Sequence, residues 1–188
     1  MRLGIVGTGL IVTEALKALS VLSQIECTAI CAREHSKGKA ESFAVQYGIK
    51  EVFTDYDRML EETDADTVYI GIVNTQHFPY AKKALEKGKN VILEKPFCTS
   101  FEETEILIEL AKEKKHFLFE AMTSCHQPLY QKMKEYLPEI GRICYVQGNY
   151  SQYSSRYDAY LRHEVHSAFD PAYFGGALYD LGIYPLRL

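Results

Sequence analysis

From the N-terminus to about residue 120, short apolar runs alternate with longer stretches in which apolar residues recur at helical spacing. The short runs are Leu3–Val6, Ile25–Cys31, Thr67–Val73, Asn90–Leu93 and Phe117–Phe119. The helical stretches lie between them, at Ile11–Leu22, Ser36–Tyr47, Gln76–Lys87 and Phe101–Lys115. Strands that alternate with helices in this way form parallel sheets with right-handed crossovers. The pattern therefore predicts an α/β domain over this part of the chain.

The pattern changes after residue 120. His126–Leu137 has helical spacing, and Arg142–Gln152 is predicted to form a long strand rich in aromatic residues. A loop rich in Tyr, Ser and Arg follows, and it leads to a glycine-containing stretch that ends near Pro185. Because no Gly/Ser-rich or Pro-rich linker separates the two parts, the predicted boundary near residue 120 depends on the change of pattern alone.

Composition and charge exclude several classes of protein. The chain has 188 residues, of which 47% are hydrophobic and 24% are charged, unlike collagen or a globally disordered chain. A net charge of -4 disfavours nucleic acid or an anionic membrane as a partner, and no apolar run reaches the ~18 residues of a membrane span. The five cysteines include no CxxC pair, so we expect a reducing, cytoplasmic location. His163 and His166 lack further ligands at metal-binding spacing, and no metal is expected.

A glycine-rich turn follows the first apolar run and opens the first predicted helix. Its sequence is Gly7-Thr8-Gly9-Leu10-Ile11-Val12. The first glycine permits a tight turn, and the second lets the backbone approach a pyrophosphate that the helix N-terminus stabilises. The third position, which packs the helix against the strand, carries valine here. An ordinary βα turn is the alternative, but the place of this turn within a βαβ unit favours a dinucleotide-binding site.

The residues after the second apolar run indicate which dinucleotide is bound. An acidic residue there would accept a hydrogen bond from the ribose 2′-hydroxyl of NAD. Arg33 stands at this place, and Glu34 follows one or two positions late. Because a guanidinium can clamp a 2′-phosphate or stack on adenine, NADP is preferred over NAD. A solvated loop charge is the alternative role for Arg33.

Motifs further along the chain make the prediction more specific. Asn74 and His77 follow the Thr67–Val73 run, and Glu94-Lys95-Pro96 follows the Asn90–Leu93 run. The last motif reads Gly175-Gly176-x-x-x-Asp180-x-Gly182-x-Tyr184-Pro185. With these motifs in this order, the whole chain resembles the Gfo/Idh/MocA oxidoreductase family, and most of all the branch that includes dimeric dihydrodiol dehydrogenase and related sugar dehydrogenases.

The resemblance implies a Rossmann NAD(P)-binding domain over residues 1–120. Residues 121–188 would then be part of an α+β domain with an open antiparallel sheet, which binds substrate and forms a homo-oligomer. The implied cofactor contacts are Gly7, Thr8, Gly9, Leu10, Ile11, Arg33, Asn74, His77, Glu94, Lys95 and Pro96. The bond before Pro96 is often cis in the family. Lys95, Asp180 and Tyr184 would surround the reacting carbon.

The implied catalytic residues also suit hydride transfer on chemical grounds. An ammonium such as that of Lys95 stabilises negative charge on a substrate oxygen and favours a nearby phenolate. The phenol of Tyr184 could then exchange the alcohol proton, while Asp180 accepts a hydrogen bond from a substrate hydroxyl. Because these two residues are four apart, a helix starting here would place both on one face. The alternative roles are a surface charge, a helix N-terminal residue and a packing aromatic.

Two functions therefore remain open at this stage. The first is an NAD(P)-dependent oxidoreductase acting on a sugar, a polyol or a dihydrodiol. The second is a truncated remnant that binds NAD(P)H without turnover. A short-chain dehydrogenase would need a Tyr-x-x-x-Lys pair, and Tyr130 and Lys134 have that spacing, but they lie outside the expected strand–helix context. The unpaired strand predicted over Arg142–Gln152 is a template for pairing, so we expect a homo-oligomer.

Overall fold

A computed structural model describes residues 1–151 and 153–186 of the chain. These residues form two compact units, the first covering Met1–Ala121 and the second beginning at Met122. None of the helices in the described residues is long and apolar enough to cross a membrane.

The first unit is built around one parallel sheet. Its strands are β1 (Arg2–Val6), β2 (Glu26–Cys31), β3 (Glu51–Phe53), β4 (Thr67–Ile70), β5 (Asn90–Leu93) and β6 (Leu118–Glu120). They lie in the order β3-β2-β1-β4-β5-β6, and every neighbouring pair is parallel. The strand order reverses between β1 and β4, and the crevice outside such a switch point is where open α/β sheets bind ligands.

Helices cover the sheet on both faces. The helices of this unit are α1 (Leu10–Leu19), α2 (Lys37–Tyr47), α3 (Tyr56–Glu62), α4 (His77–Glu86) and α5 (Phe101–Lys114). Residues of α1 and α2 share one buried cluster with Leu3, Ile5 and Ile30 of the sheet. Residues of α3, α4 and α5 share a second cluster with Val68 and Val91. The predicted Rossmann-type α/β fold is thus confirmed for this unit.

The boundaries of most elements lie within three residues of the predicted ones. The strand predicted over Thr67–Val73 is shorter and ends at Ile70, because the chain turns at Gly71 towards α4. Ser100 caps α5, its hydroxyl accepting from the N–H of Glu103 at 3.2 Å, as a capping serine should. Within this unit, β3 and α3 were not predicted from the sequence.

The second unit is helical in its regular parts. It contains α6 (Pro128–Tyr136), α7 (Tyr157–Leu161) and α8 (Ile183–Leu186), with a π-helical turn over Leu178–Gly182. The strand predicted over Arg142–Gln152 is wrong for residues 142–151, which form no strand, and Gln152 lies outside the described residues. A strand needs a neighbouring strand to which it can hydrogen-bond, and no strand occurs among the described residues of this unit.

Candidate functional site

The glycine turn after β1 is fixed by its contact with the end of β4. The N–H of Gly7 donates to the carbonyl of Cys31 at 2.9 Å, and the N–H of Gly71 donates to the carbonyl of Val6 at 2.9 Å. Gly7 has a φ of 111°, and a Cβ at this position would collide with the carbonyl oxygen of Gly71. Only glycine therefore fits here, because the turn must come this close to the neighbouring strand.

Gly9, unlike Gly7, is not required by the packing of the protein, because a Cβ on it would have no atom within 4 Å. It stands at the N-cap of α1, where no side chain caps the first N–H groups and no acidic residue lies in the first turn. Uncapped N–H groups facing open space form a site for an anion such as a phosphate. The start of α1 therefore fits the pyrophosphate of a dinucleotide.

Val12 is accommodated by a glycine that follows the neighbouring strand β4. A Cβ on Gly71 would lie 2.8 Å from the Cγ2 of Val12 and 3.2 Å from the Cε1 of Tyr69. Val12 is fully buried, so it packs in the space that Gly71 leaves. A glycine at position 12 would let the helix pack closely against the strand. Here the missing side chain of Gly71 allows that close packing instead.

Arg33 lies just after β2 at the same edge of the sheet. It is exposed and precedes a short 3-10 turn over Glu34–Ser36. Within the part of the chain that the structure describes, no carboxylate forms an ion pair with this guanidinium. The side chain is therefore available to an anionic ligand from solvent.

The loop after β4 carries the other two residues named for the cofactor. Asn74 is half-buried and begins a 3-10 turn, whereas His77 begins α4 and has no exposed surface. The Nδ1 of His77 lies 2.8 Å from the carbonyl oxygen of Pro96, and its Nε2 lies 3.2 Å from that of Ile72. Burial lowers the pKa of His77 and favours the neutral ring. In this structure both ring nitrogens face backbone carbonyls.

At the end of β5 the carboxylate of Glu94 is buried with 6% of its surface exposed. Its Oε1 accepts from the hydroxyl of Tyr69 at 2.7 Å, and its Oε2 accepts from the N–H of Lys95 at 3.2 Å. Burial raises the pKa of Glu94, although both hydrogen bonds favour its ionised form. The Lys95–Pro96 bond is cis, and Lys95 is half-buried. Glu94 thus holds the backbone that carries Lys95.

Tyr69 is a residue of this site that sequence reasoning missed. It lies on β4 with 6% of its surface exposed, within a run whose other residues are a threonine, a glycine and apolar residues. A tyrosine hydroxyl in a buried strand needs a hydrogen-bonding partner. That requirement could have indicated a polar group on the neighbouring strand.

Asp180 and Tyr184 belong to the second unit, whereas Lys95 belongs to the first. Asp180 lies in the π-helical turn, and Tyr184 lies in α8. The ring of Tyr184 stacks on that of Tyr150, with ring centroids 5.0 Å apart and an interplanar angle of 14°. A Cβ on Gly148 would overlap the ring of Pro185, so a glycine is needed where this segment crosses α8.

The Tyr130–Lys134 pair lies within α6 of the same unit. The ammonium of Lys134 lies over the face of the Tyr130 ring, 5.5 Å from its centroid. This is a cation–π contact on a helix surface, and it follows from the spacing of four residues. The pair thus has an ordinary structural role, which disfavours the short-chain dehydrogenase alternative.

Comparison with known proteins identifies the family. A family model described as an oxidoreductase family with an NAD-binding Rossmann fold, Gfo/Idh/MocA, matches residues 1–122. The chain belongs to this family. Its resemblance to these oxidoreductases, predicted from the motifs, is therefore confirmed.

Other members of the family have named activities. The chain is 34% identical over 184 residues to scyllo-inositol 2-dehydrogenase (NADP(+)) IolU of Bacillus subtilis, covering 98% of this chain and 56% of IolU. It is 27% identical over 183 residues to trans-1,2-dihydrobenzene-1,2-diol dehydrogenase of Xenopus laevis, covering 96% of this chain and 53% of that enzyme. The chain thus spans about half the length of these relatives.

The fold of the chain is also similar to that of a solved structure. The 3-ketoreductase KijD10 of Actinomadura kijaniata, crystallised with TDP-benzene and NADP, superposes with a TM-score of 0.69 at 31% identity. The match covers 74% of this chain and 43% of KijD10.

The hydrogen bond from Tyr69 to Glu94 predicts that removing the Tyr69 hydroxyl lowers the free energy of unfolding by an amount that depends on pH. Tyr69→Phe deletes a bond to a buried carboxylate, so we expect it to lower the free energy of unfolding by about 2–3 kcal/mol. Tyr56→Phe is the matched control, because the Tyr56 hydroxyl donates to the uncharged carbonyl of Tyr80 at 3.0 Å and should cost only about 1 kcal/mol.

The sign of the pH dependence follows from the group that the hydroxyl contacts. Tyr69 stabilises the ionised form of Glu94, so its removal raises the pKa of that carboxyl further. The deficit of Tyr69→Phe should therefore grow as the pH rises from about 4.5 to 8, while that of Tyr56→Phe stays constant. Urea unfolding followed by circular dichroism measures both. Equal costs at every pH would contradict the assignment of a carboxylate to this contact.

Proposed function

We propose that the first unit binds NADPH, with NADH as the weaker cofactor, in the crevice outside β1 and β4. The observation that carries the proposal is the start of α1, where Gly9 leaves open space in front of uncapped N–H groups. This helix begins at the switch point of the strand order, where open α/β sheets bind ligands. Asn74, Glu94, Lys95 and Pro96 follow β4 and β5 and therefore line the same edge of the sheet.

The preference for NADPH rests on Arg33. An exposed guanidinium after β2, with no acidic residue at the strand end, suits a 2′-phosphate better than a ribose hydroxyl. The relatives support this choice, since IolU is named for NADP(+) and KijD10 was crystallised with NADP.

For the whole protein we propose an oxidoreductase that interconverts a hydroxyl and a carbonyl on a sugar, a polyol or a dihydrodiol. IolU and the Xenopus laevis enzyme are named for an inositol and a dihydrodiol, and a further relative, from Streptomyces violaceoruber, is named as a dTDP-3,4-didehydro-2,6-dideoxy-alpha-D-glucose 3-reductase. Each of these substrates has a ring carbon that bears oxygen, with further oxygen atoms on the same ring. When bound, the nicotinamide supplies the hydride donor or acceptor for such a carbon.

The protein's own residues would stabilise the charge on the substrate oxygen and transfer the alcohol proton. The Lys95 ammonium stabilises the negative charge that develops on the substrate oxygen. The Tyr184 hydroxyl exchanges the alcohol proton, and Asp180 accepts a hydrogen bond from a substrate hydroxyl and fixes its orientation. The stacking of Tyr184 on Tyr150 supports this role, because it restricts the ring that carries the reacting hydroxyl.

Homo-oligomerisation through the second unit and a cytoplasmic location stay predictions from the sequence. The expected association relied on a strand over Arg142–Gln152, which residues 142–151 do not form. The same segment still exposes apolar side chains, with Ile143 at 50%, Tyr145 at 79% and Val146 at 69%. Exposed apolar surface of this kind favours self-association.

The first prediction concerns cofactor binding at Gly9. Gly9→Val places a branched side chain in the open space before α1, so NADPH should bind at least ~10-fold more weakly, equivalent to about 1.4 kcal/mol. Since no protein atom lies within 4 Å of the added Cβ, the variant should still fold. Ala18→Val, at the far end of the same helix, is the matched control. Isothermal titration that gives equal NADPH affinities for both variants would exclude the site.

The second prediction concerns the choice of cofactor. Arg33→Ala should reduce the affinity for NADPH by ~10-fold or more and that for NADH by much less, because only NADPH carries the 2′-phosphate. Lys50→Ala removes another exposed cation, one that pairs with Glu26 at 2.6 Å, and should change neither affinity. Equal losses for the two cofactors in Arg33→Ala would mean that the guanidinium stacks on adenine instead.

The third prediction concerns the reaction itself. Lys95→Met should nearly abolish turnover of NADP(H) with inositols, sugars and trans-dihydrodiols while leaving NADPH affinity almost unchanged, because the ammonium acts on charge that develops in the transition state. Tyr184→Phe should lower turnover by ~10²–10⁴. Lys112→Met, on the surface of α5, is the control. Tight NADPH binding by the unaltered chain without turnover of any substrate would instead support a binding function.

A further inference from the structure

The imidazole of His77 connects two loops that the sheet brings to one edge. Its Nε2 lies 3.2 Å from the carbonyl oxygen of Ile72, in the loop after β4. Its Nδ1 lies 2.8 Å from the carbonyl oxygen of Pro96, in the loop after β5. The ring has no exposed surface, so these contacts are shielded from competing water. His77 thus connects the loop of Asn74 with the loop of Lys95.

We propose that His77 is a positioning residue for Lys95, an inference that rests on the proposed function in that Lys95 acts beside the nicotinamide. Lys95 is held on one side by the carboxylate of Glu94, which accepts from its N–H at 3.2 Å. On the other side, the carbonyl of the next residue, Pro96, is held by His77. The backbone that carries the ammonium is therefore held at the peptide group before Lys95 and at the peptide group after Pro96.

The protonation state of the ring decides which contact matters most. Both partners are carbonyl oxygens, which only accept, whereas a neutral imidazole has a single N–H to donate. The shorter distance, to Pro96, favours the tautomer that carries the proton on Nδ1. Burial opposes a second proton and outweighs the carbonyls of Pro96, Ile72 and Phe97, which favour it, so the pKa of His77 is lowered; the ammonium of Lys95 disfavours the second proton as well. His77 therefore donates to the loop of Lys95 and makes the weaker contact with the loop of Asn74.

Two amide substitutions distinguish positioning from simple space filling. The amide nitrogen of His77→Asn can take the place of Nδ1, whereas that of His77→Gln reaches the place of Nε2. His77→Leu fills the space with no donor. If the donor to Pro96 is what matters, Asn should restore the function of the ring and Gln and Leu should not. Leu85→Ala is the matched control, because Leu85 is fully buried in the same helix and makes no contact with either loop through a donor.

The experiment compares two ligands, NADPH and 2′,5′-ADP, which has the adenosine end and the 2′-phosphate but no nicotinamide. We expect His77→Leu and His77→Gln to weaken NADPH binding by ~10-fold while changing 2′,5′-ADP binding less than ~2-fold. The loss comes from the released backbone of Lys95 and Pro96 at the nicotinamide end, which Lys95→Met leaves in place. His77→Asn should remain close to the unaltered chain. Leu85→Ala should lower the unfolding midpoint without changing the ratio of the two affinities. An unchanged ratio in all three His77 variants would overturn the inference.

A second measurement does not depend on cofactor binding. Competitive acetylation with acetic anhydride, followed by peptide mass mapping, gives the reactivity of Lys95 relative to that of the exposed Lys112. The ratio should change by ~3-fold or more in His77→Leu and return in His77→Asn. If the unaltered chain binds neither NADPH nor 2′,5′-ADP, the proposed function fails, but a shifted acetylation ratio would still support the positioning of Lys95. An unshifted ratio in His77→Leu would contradict it.

Discussion

The close approach of β1 and β4 at Gly7 and Gly71 is the constraint on which the candidate site depends. The carbonyl of Gly71 occupies the space in which a side chain at residue 7 would lie, and Gly7 adopts a φ of 111° that few other residues tolerate. Val12 then packs against Gly71 from the helix side. Because these contacts fix both the turn and the first residues of α1, the N-terminus of the helix faces the switch point of the sheet.

The two glycines of the turn therefore have separate reasons to be conserved in any functional variant of this chain. Gly7 is required by the protein's own backbone, and its loss would affect folding before it affected any ligand. Gly9 has open space around the direction of its missing side chain, so its proposed requirement comes from the cofactor and not from the protein's own backbone. This difference is what allows cofactor binding to be tested at Gly9 without disturbing the sheet.

The sequence predicted the parts of the fold that depend on local pattern. The alternation of strands and helices, the glycine turn and the Glu94-Lys95-Pro96 motif could all be recognised in this way. β3 was missed because it has only three residues, all half-buried, and lies at an edge of the sheet. α3 was also missed, although Asp55 caps it by accepting from the N–H of Arg58 at 3.1 Å, and such a cap is visible in a sequence.

Other features could not be predicted because they depend on contacts between distant residues. The partner of His77 lies 19 residues away, and nothing in the local sequence distinguishes a buried histidine from one that faces a ligand. The strand expected over Arg142–Gln152 had the right composition, but composition does not supply a neighbouring strand. The contact of Tyr69 with Glu94, 25 residues further on, could be predicted in part. A buried hydroxyl requires a hydrogen-bonding partner, but the sequence does not show which residue that partner is.

The groups that hold the backbone at Lys95 are different from the ammonium group that the side chain carries. Glu94 and His77 both act on main-chain atoms, the N–H of Lys95 and the carbonyl of Pro96. Replacing the lysine side chain therefore removes the charge and leaves both supports in place. Replacing His77 keeps the charge and releases one support. In the proposed site, the reactive group is thus held through its backbone, so that the long lysine side chain starts from one fixed position.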